Sequence, residues 1–159
     1  MPPLIRPATD ADTALILTFI HALADYERLS PEVSATETQL RATLFPAAGA
    51  PVAHCMLAFA DGAAAGFALY FYNYSTFLAK PGLYLEDLFV KTEFRNRGIG
   101  KALLLHLAKL ANARGCGRME WSVLDWNQPA IKFYERLGAR RMREWQICRL
   151  AGPALERYA

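Results

Sequence analysis

One short segment of the sequence has the composition of an anion-binding turn. It runs from Arg95 to Lys101 and reads Arg-Asn-Arg-Gly-Ile-Gly-Lys. Glycines let backbone N–H groups approach a ligand closely, and a helix that begins at such a turn adds about half a positive charge. The side chains of Arg95, Arg97 and Lys101 add full charges. The segment therefore predicts binding of a phosphate or a similar anion, although an ordinary glycine-containing loop has the same composition.

Two common phosphate-binding patterns do not fit this turn. A dinucleotide-binding turn has its third glycine where this chain has Leu103. A Walker loop begins with glycine and ends with serine or threonine, but the corresponding residues here are Arg95 and Ala102. Neither NAD nor a nucleoside triphosphate is therefore the expected ligand.

A pair of carboxylates interrupts the apolar segment that precedes the turn. Glu86 and Asp87 lie within Leu83–Val90, which is otherwise composed of strand-forming residues. A carboxylate in such a strand is costly unless it is satisfied, which favours a functional role for Glu86 over a salt bridge at the surface. In a regular strand, Asp87 points to the opposite face of the sheet.

Three motifs, in order along the chain, resemble those of the GCN5-related N-acetyltransferases. Arg95-x-x-Gly98-x-Gly100 resembles the family's pyrophosphate motif for acetyl-coenzyme A. The segment Tyr84–Val90 precedes it, and Asn127–Ala139 follows it, both at the family's spacing. Leu-Tyr-Leu-Glu-Asp-x-Phe-Val, together with Phe133-Tyr134, is most similar to the spermidine/spermine (diamine) N-acetyltransferase subgroup.

The resemblance implies transfer of an acetyl group from acetyl-CoA to a primary amine of a small cationic acceptor (a polyamine, a diamine or a lysine-like amino acid). An alkylamine with a pKa near ~10.4 must first lose a proton, and Glu86 is the expected base, acting directly or through a water. Tyr134 is the expected general acid, because a phenol with a pKa near ~10 can protonate a thiolate whose pKa is near ~8.5. A core aromatic on an amphipathic helix is the alternative for Tyr134.

The resemblance also assigns binding residues, and it implies a homodimer and no metal. Tyr26, Glu27, Glu86 and Asp87 are the expected acceptor contacts. Asn127 is expected near the coenzyme A arm, as a helix N-cap, or in both roles. The expected cofactor-binding residues are Leu88, Phe89, Val90, Arg95, Asn96, Arg97, Gly98, Ile99, Gly100, Lys101, Asn127 and Ala130.

Three other functions compete with this interpretation. The first is an acetyltransferase whose acceptor is a protein N-terminus or a lysine. Such an acceptor requires an open groove for an extended peptide. The second is a coenzyme A-binding module without catalysis. The third is a nucleic-acid binder built on Arg140, Arg141 and Arg143, and it ranks last because aromatic stacking motifs are lacking.

The elements that position these residues follow from hydrophobic periodicity and capping signals. Thr9 with Asp12 and Ser34 with Glu37 predict two helix starts, and Asp61-Gly62 predicts a hairpin. The fold class is α/β (α+β), with a mixed, mostly antiparallel sheet of six to seven strands and helices on both faces. The predicted strands are Leu4–Pro7, Ala53–Ala60, Ala64–Tyr72, Leu83–Val90, Arg118–Leu124, Arg140–Arg143 and Ile147–Leu150.

Length and composition bound the remaining possibilities. With 159 residues, a single domain over 1–159 is expected. The odd count of three cysteines favours neither a disulfide framework nor a zinc site, and no apolar run approaches the ~18 residues of a membrane span. We therefore expect a cytoplasmic protein. Residues 1–80 carry 4 basic and 7 acidic side chains, and residues 81–159 carry 14 and 8, which suits two ligands of opposite charge.

Overall fold

The computed structural model describes residues 2–159 and divides into two compact units. The first unit runs to Ser122, and the second runs from Val123 to Ala159. In the first unit the strands and helices are β1 (Leu4–Pro7), α1 (Thr13–Tyr26), α2 (Glu37–Leu44), β2 (His54–Ala60), β3 (Ala63–Ser75), β4 (Lys80–Val90), α3 (Ile99–Ala113) and β5 (Arg118–Trp121). The second unit contains α4 (Gln128–Arg136) and α5 (Pro153–Glu156). The expectation of a single domain stays a prediction.

The first unit is a sheet with a helix packed on each face. Its strands follow chain order from β1 to β5; β1 to β4 are antiparallel, and β5 is parallel to β4. Phe67 and Phe89 lie opposite each other and pack with Phe19 of α1. The alternate residues of β3 and β4 face α3, whose Leu103 and Leu107 are fully buried. The predicted mixed, mostly antiparallel sheet is confirmed.

The predicted number of strands is wrong, because the sheet formed by residues 2–159 has five strands rather than six to seven. Neither Arg140–Arg143 nor Ile147–Leu150 forms a strand, and Trp145 and Ile147 are 75% and 73% exposed. A short alternating segment becomes a strand only where a neighbouring strand pairs with its backbone. Strand β5 likewise ends at Trp121 instead of Leu124.

One of the two predicted helix-capping signals is confirmed, and the other is wrong. The Thr9 N–H donates to the Asp12 carboxylate at 2.8 Å, as predicted, and Arg6 donates two bonds to the same group at 2.7 and 2.8 Å. These bonds hold the pKa of Asp12 well below its usual range. The predicted Ser34–Glu37 cap is wrong: Thr36 caps α2, because its hydroxyl accepts from the Gln39 N–H at 3.3 Å.

A bulge breaks the alternation of β4 at the carboxylate pair. Leu69 lies opposite Asp87 and Tyr70 lies opposite Leu85, so Glu86 is the extra residue. Leu69 packs against the core beneath α1, which places Asp87 on that face of the sheet. The predicted orientation of Asp87 assumed a regular strand, but β4 is not regular at this point.

Gly66 of β3, which lies opposite Val90, tests how closely β3 and β4 must approach at the end of β4. A Cβ at position 66 would lie 2.6 Å from the backbone oxygen of Phe89, which side-chain motion cannot relieve. Gly66→Ala is therefore expected to lower the free energy of unfolding by about 1–3 kcal/mol, measured by urea denaturation. Gly100→Ala is the matched control, since its Cβ would meet only the Val90 Cγ2 at an ordinary 3.6 Å. Equal denaturation midpoints for the two variants would contradict the prediction.

Candidate active site

The edge of β4 that faces β5 carries unpaired backbone donors. Strand β5 pairs with β4 only from Gly82 to Leu85 and ends there at Trp121, so it offers no partner to the later residues of β4. The Lys91 N–H points the other way and donates to the Ala65 oxygen at 2.9 Å. Because N–H groups alternate along a strand, those of Leu88 and Val90 point toward the open edge. The structure thus presents two donors, spaced two residues apart, along the edge of β4 beyond the end of β5.

Helix α3 begins beside this edge, and the backbone donors of its first turn have no partner within the helix. Gly98 is its N-cap and has a φ of +77°, and Asn96 before it has a φ of +60°. Within the helix the Ala102 N–H bonds to the Gly98 oxygen, so the N–H groups of Ile99, Gly100 and Lys101 precede the first helical bond. With the positive end of the helix dipole, these groups are suited to an anion, and anion binding at this turn stays a prediction.

Two of the three predicted phosphate-binding cations have partners in the first unit. Arg97 forms an ion pair of 2.7 Å with Asp61 in the β2–β3 turn. Arg95 donates from Nε to the Val90 oxygen at 3.0 Å, and its guanidinium lies 4.5 Å from the Tyr26 ring centroid. The side chain of Lys101 is exposed. Sequence reasoning missed the Tyr26–Arg95 contact, because the two residues lie far apart along the chain.

Asp87, beside the bulge, lies within electrostatic range of two other carboxylates, those of Glu86 and Glu27. Burial, followed by the charges of Glu86 and Glu27, raises the pKa of Asp87 to about 7. Burial also raises the pKa of Glu27. A carboxyl group with a pKa near neutrality can take a proton and release it again at working pH. Glu27, Glu86 and Asp87, three of the predicted acceptor contacts, thus lie near one another, and their roles toward an acceptor stay predictions.

Asn127, Ala130 and Tyr134, which are also predicted site residues, belong to the second unit. The Ala130 N–H donates to Asn127 Oδ1 at 3.4 Å, which confirms Asn127 as the N-cap of α4. Tyr134 lies on the same helix, with its ring centroid 5.2 Å from that of Phe133. Their roles toward a cofactor or a reacting group stay predictions.

Within residues 2–159, no cluster of three or more histidine, cysteine or acidic side chains has the arrangement of a metal site. Over the same residues, every helix is too short or too polar to cross a bilayer.

Comparison with known proteins adds family evidence to this geometry. The pattern of the acetyltransferase (GNAT) family matches residues 20–139. An L-ornithine N5-acetyltransferase from Arabidopsis thaliana is 36% identical, over 96% of this chain and 86% of that protein. A thialysine N-epsilon-acetyltransferase from Sus scrofa is 37% identical, over 98% of this chain and 96% of that protein.

Solved structures show the same fold. An integron cassette protein from the mobile metagenome of V. cholerae superposes with a TM-score of 0.80 at 27% identity, over 99% of this chain and 98% of that chain.

Proposed function

The chain belongs to the acetyltransferase (GNAT) family, and we propose that it transfers the acetyl group of acetyl-CoA to a primary amine of a small cationic acceptor. The acceptor class in this proposal comprises polyamines, diamines and lysine-like amino acids. The names of the two relatives, which specify ornithine and thialysine, support it. The observation that carries it is the pair of outward-facing N–H groups on β4 beside the N-terminus of α3.

The residues at this edge fit acetyl-CoA. Acetyl-CoA supplies the acetyl group as a thioester. The backbone of Asn96 to Lys101 is suited to its pyrophosphate, since it offers helix N-terminal donors with a glycine at the N-cap. The N–H groups of Leu88 and Val90, on either side of Phe89, would bind the pantetheine arm and the acetyl oxygen, where donors contribute a few kcal/mol. By family resemblance, Asn127 and Ala130 join this set.

Proton transfer is assigned to the carboxylates and to Tyr134. Glu86 and Asp87 would accept the proton of the ammonium at their carboxylate oxygens, directly or through a water. Asp87 is the better-placed base because its pKa lies near the working pH. The Tyr134 hydroxyl would donate its proton to the departing sulfur. Tyr26 and Glu27 would hold the acceptor, with the carboxylate of Glu27 matching its positive charge.

A homodimer in the cytoplasm completes the proposal. The apolar side chains of Trp145, Ile147 and Leu150 are exposed in the second unit, which suits burial against a second copy of the chain. The cysteines Cys55, Cys116 and Cys148 are free, as expected in a reducing compartment. Analytical ultracentrifugation distinguishes the dimer from a monomer.

Release of free thiol from acetyl-CoA, followed with a panel of amines, tests the proposed activity. We expect thiol release with polyamines, diamines or lysine-like amino acids, and a slower background without an amine. Short peptides with a free N-terminus or lysine serve as the matched arm, because their acetylation in preference to small amines would favour a protein acceptor. Coenzyme A binding with no acetylation of any amine would overturn the enzymatic proposal in favour of a non-catalytic module.

A further inference from the structure

A cleft of about 270 Å³ lies in the first unit, beside the end of α1 and the segment that follows β4. Its walls include two aromatic rings, two cations and two carboxylates, contributed by Tyr26, Phe89, Lys91, Arg95, Asp25 and Glu93. A polyamine carries positive charge alone, so it would leave the two cations of this cleft without a partner. This composition instead matches a ligand that carries both signs.

The cationic side of the cleft is organised before any ligand arrives. Arg95 uses its Nε for the Val90 oxygen, and the rings of Tyr26 and Phe89 lie 4.5 and 5.5 Å from its guanidinium carbon. The Nε bond and the two rings restrain the guanidinium, and the Nε bond does not use the fork of its two terminal nitrogens. Such a fork binds a carboxylate through two parallel hydrogen bonds. Lys91, with its Nζ 5.5 Å from the Phe19 ring centroid, adds a second cation.

The anionic side suits an ammonium group. Asp25 and Glu93 are both exposed, so their carboxylates can reorient toward a ligand in the cleft. The Asp25 carboxylate also accepts a long hydrogen bond of 3.5 Å from Ser30. An α-amino acid carries an ammonium and a carboxylate on one carbon, and it satisfies both sides of the cleft at once.

The spacing along β4 connects the cleft with the three carboxylates. Phe89 lines the cleft, and Asp87 lies two residues away on the same face of the sheet, a separation of roughly 6.6 Å by strand rise. The terminal amine of a lysine-like side chain lies roughly 6 Å from its α-carbon when extended, taking bonds of about 1.5 Å. An amino acid with its α-carbon in the cleft therefore reaches Asp87 with its terminal amine.

We propose that this cleft binds the α-carboxylate and α-ammonium groups of an amino-acid acceptor, and that it selects such acceptors over polyamines and diamines. The inference rests on the proposed acetyltransferase activity and specifies its acceptor. Lys91 and Arg95 are the residues that distinguish the two classes, because a diamine has no group to pair with them.

Matched acceptor pairs test this selection, since ornithine and putrescine, or lysine and cadaverine, differ by the α-carboxylate alone. We expect kcat/KM to be about tenfold or more higher for the amino acid of each pair, as one charge-assisted bond implies. Lys91→Met removes the ammonium over Phe19 while keeping an unbranched side chain, and it is expected to lower the ornithine-to-putrescine ratio about tenfold. Lys91→Gln provides a second variant, and Lys109→Met, at an exposed position on α3, is expected to leave the ratio unchanged.

Equal or higher kcat/KM for the diamines would overturn the inference, as would an equal loss for ornithine and putrescine in both Lys91 variants. Calorimetric titration of ornithine and putrescine into the coenzyme A-bound protein gives a second readout that does not require acetyl transfer. A calorimetric preference for ornithine that falls in Lys91→Met supports the cleft even without turnover. Acetylation of none of the four amines, nor of any polyamine, would overturn the proposed function instead, so the two failures are distinguishable.

Discussion

Tyr134→Phe is expected to lower kcat by about 10²- to 10⁴-fold, the usual contribution of a positioned general acid. The substitution removes a single hydroxyl and leaves the ring that packs 5.2 Å from Phe133 on α4. Without that hydroxyl, the departing sulfur must leave as a thiolate or take its proton from water. The dissociation constant for coenzyme A is expected to stay within about twofold, because none of the proposed cofactor contacts is lost. Steady-state thiol release and calorimetric titration with coenzyme A measure the two quantities.

Tyr158→Phe is the matched control for this loss. Tyr158 belongs to the same unit and is 76% exposed, and no role in the proposed site is assigned to it. Its variant is expected to turn over at the rate of the unmodified chain. Unchanged turnover in Tyr134→Phe would remove Tyr134 from the mechanism and leave it as a packing residue of α4.

Asp87→Asn is expected to lower kcat/KM by about 10²-fold or more and to remove an inflection from its pH profile. The pKa of Asp87 is raised to about 7 by burial and by its neighbours Glu86 and Glu27. A base must be deprotonated to act, so the kcat/KM of the unmodified chain is expected to rise as the pH increases through about 7. The asparagine variant has no titrating carboxyl at this position, so its profile should lack that step. Rates from pH 5.5 to 8.5 measure both effects.

Glu86→Gln separates the two candidate bases. Glu86 is the extra residue of the bulge and is exposed, whereas Asp87 is partly buried beside Leu69. If Asp87 is the base, the kcat/KM of Glu86→Gln still rises with pH. The midpoint of that rise moves to lower pH, because one of the charges that raise the pKa of Asp87 is gone. If Asp87→Asn retains the inflection while Glu86→Gln abolishes activity, the base is Glu86, as the sequence alone predicted.

Thermal unfolding shows whether Asp87→Asn loses activity because a reacting group is missing or because the fold is less stable. A carboxyl whose pKa is raised in the folded state favours folding while it is protonated, and that contribution is lost as the pH rises through about 7. Asparagine stays neutral, so the melting temperature of Asp87→Asn relative to the unmodified chain is expected to be higher at pH 8 than at pH 5. A variant that is less active but no less stable at pH 8 has lost chemistry rather than its fold.

The sequence indicated most of the local structure around the site. The alternating segments on either side of Asp61-Gly62 formed a hairpin, and the Thr9–Asp12 signal formed the expected cap. The glycine-bearing turn before α3 took the conformation that its composition predicts, with Gly98 at positive φ. Hydrophobic pattern, capping and turn chemistry each depend on contacts within a few residues, so they can be inferred from neighbouring residues alone.

Tertiary structure decided how those elements meet, and with it the chemistry of the carboxylate pair. The bulge at Glu86 depends on the register of β3, and it is this register that places Asp87 beneath α1 with a pKa of about 7. The sequence predicts that Arg95 binds phosphate. In the fold its guanidinium stacks on Tyr26 and borders a cleft with charges of both signs. The last two predicted strands do not form for the same reason. The hydrogen bonds of a strand depend on partners distant in the chain, and so does the dielectric environment of a carboxylate.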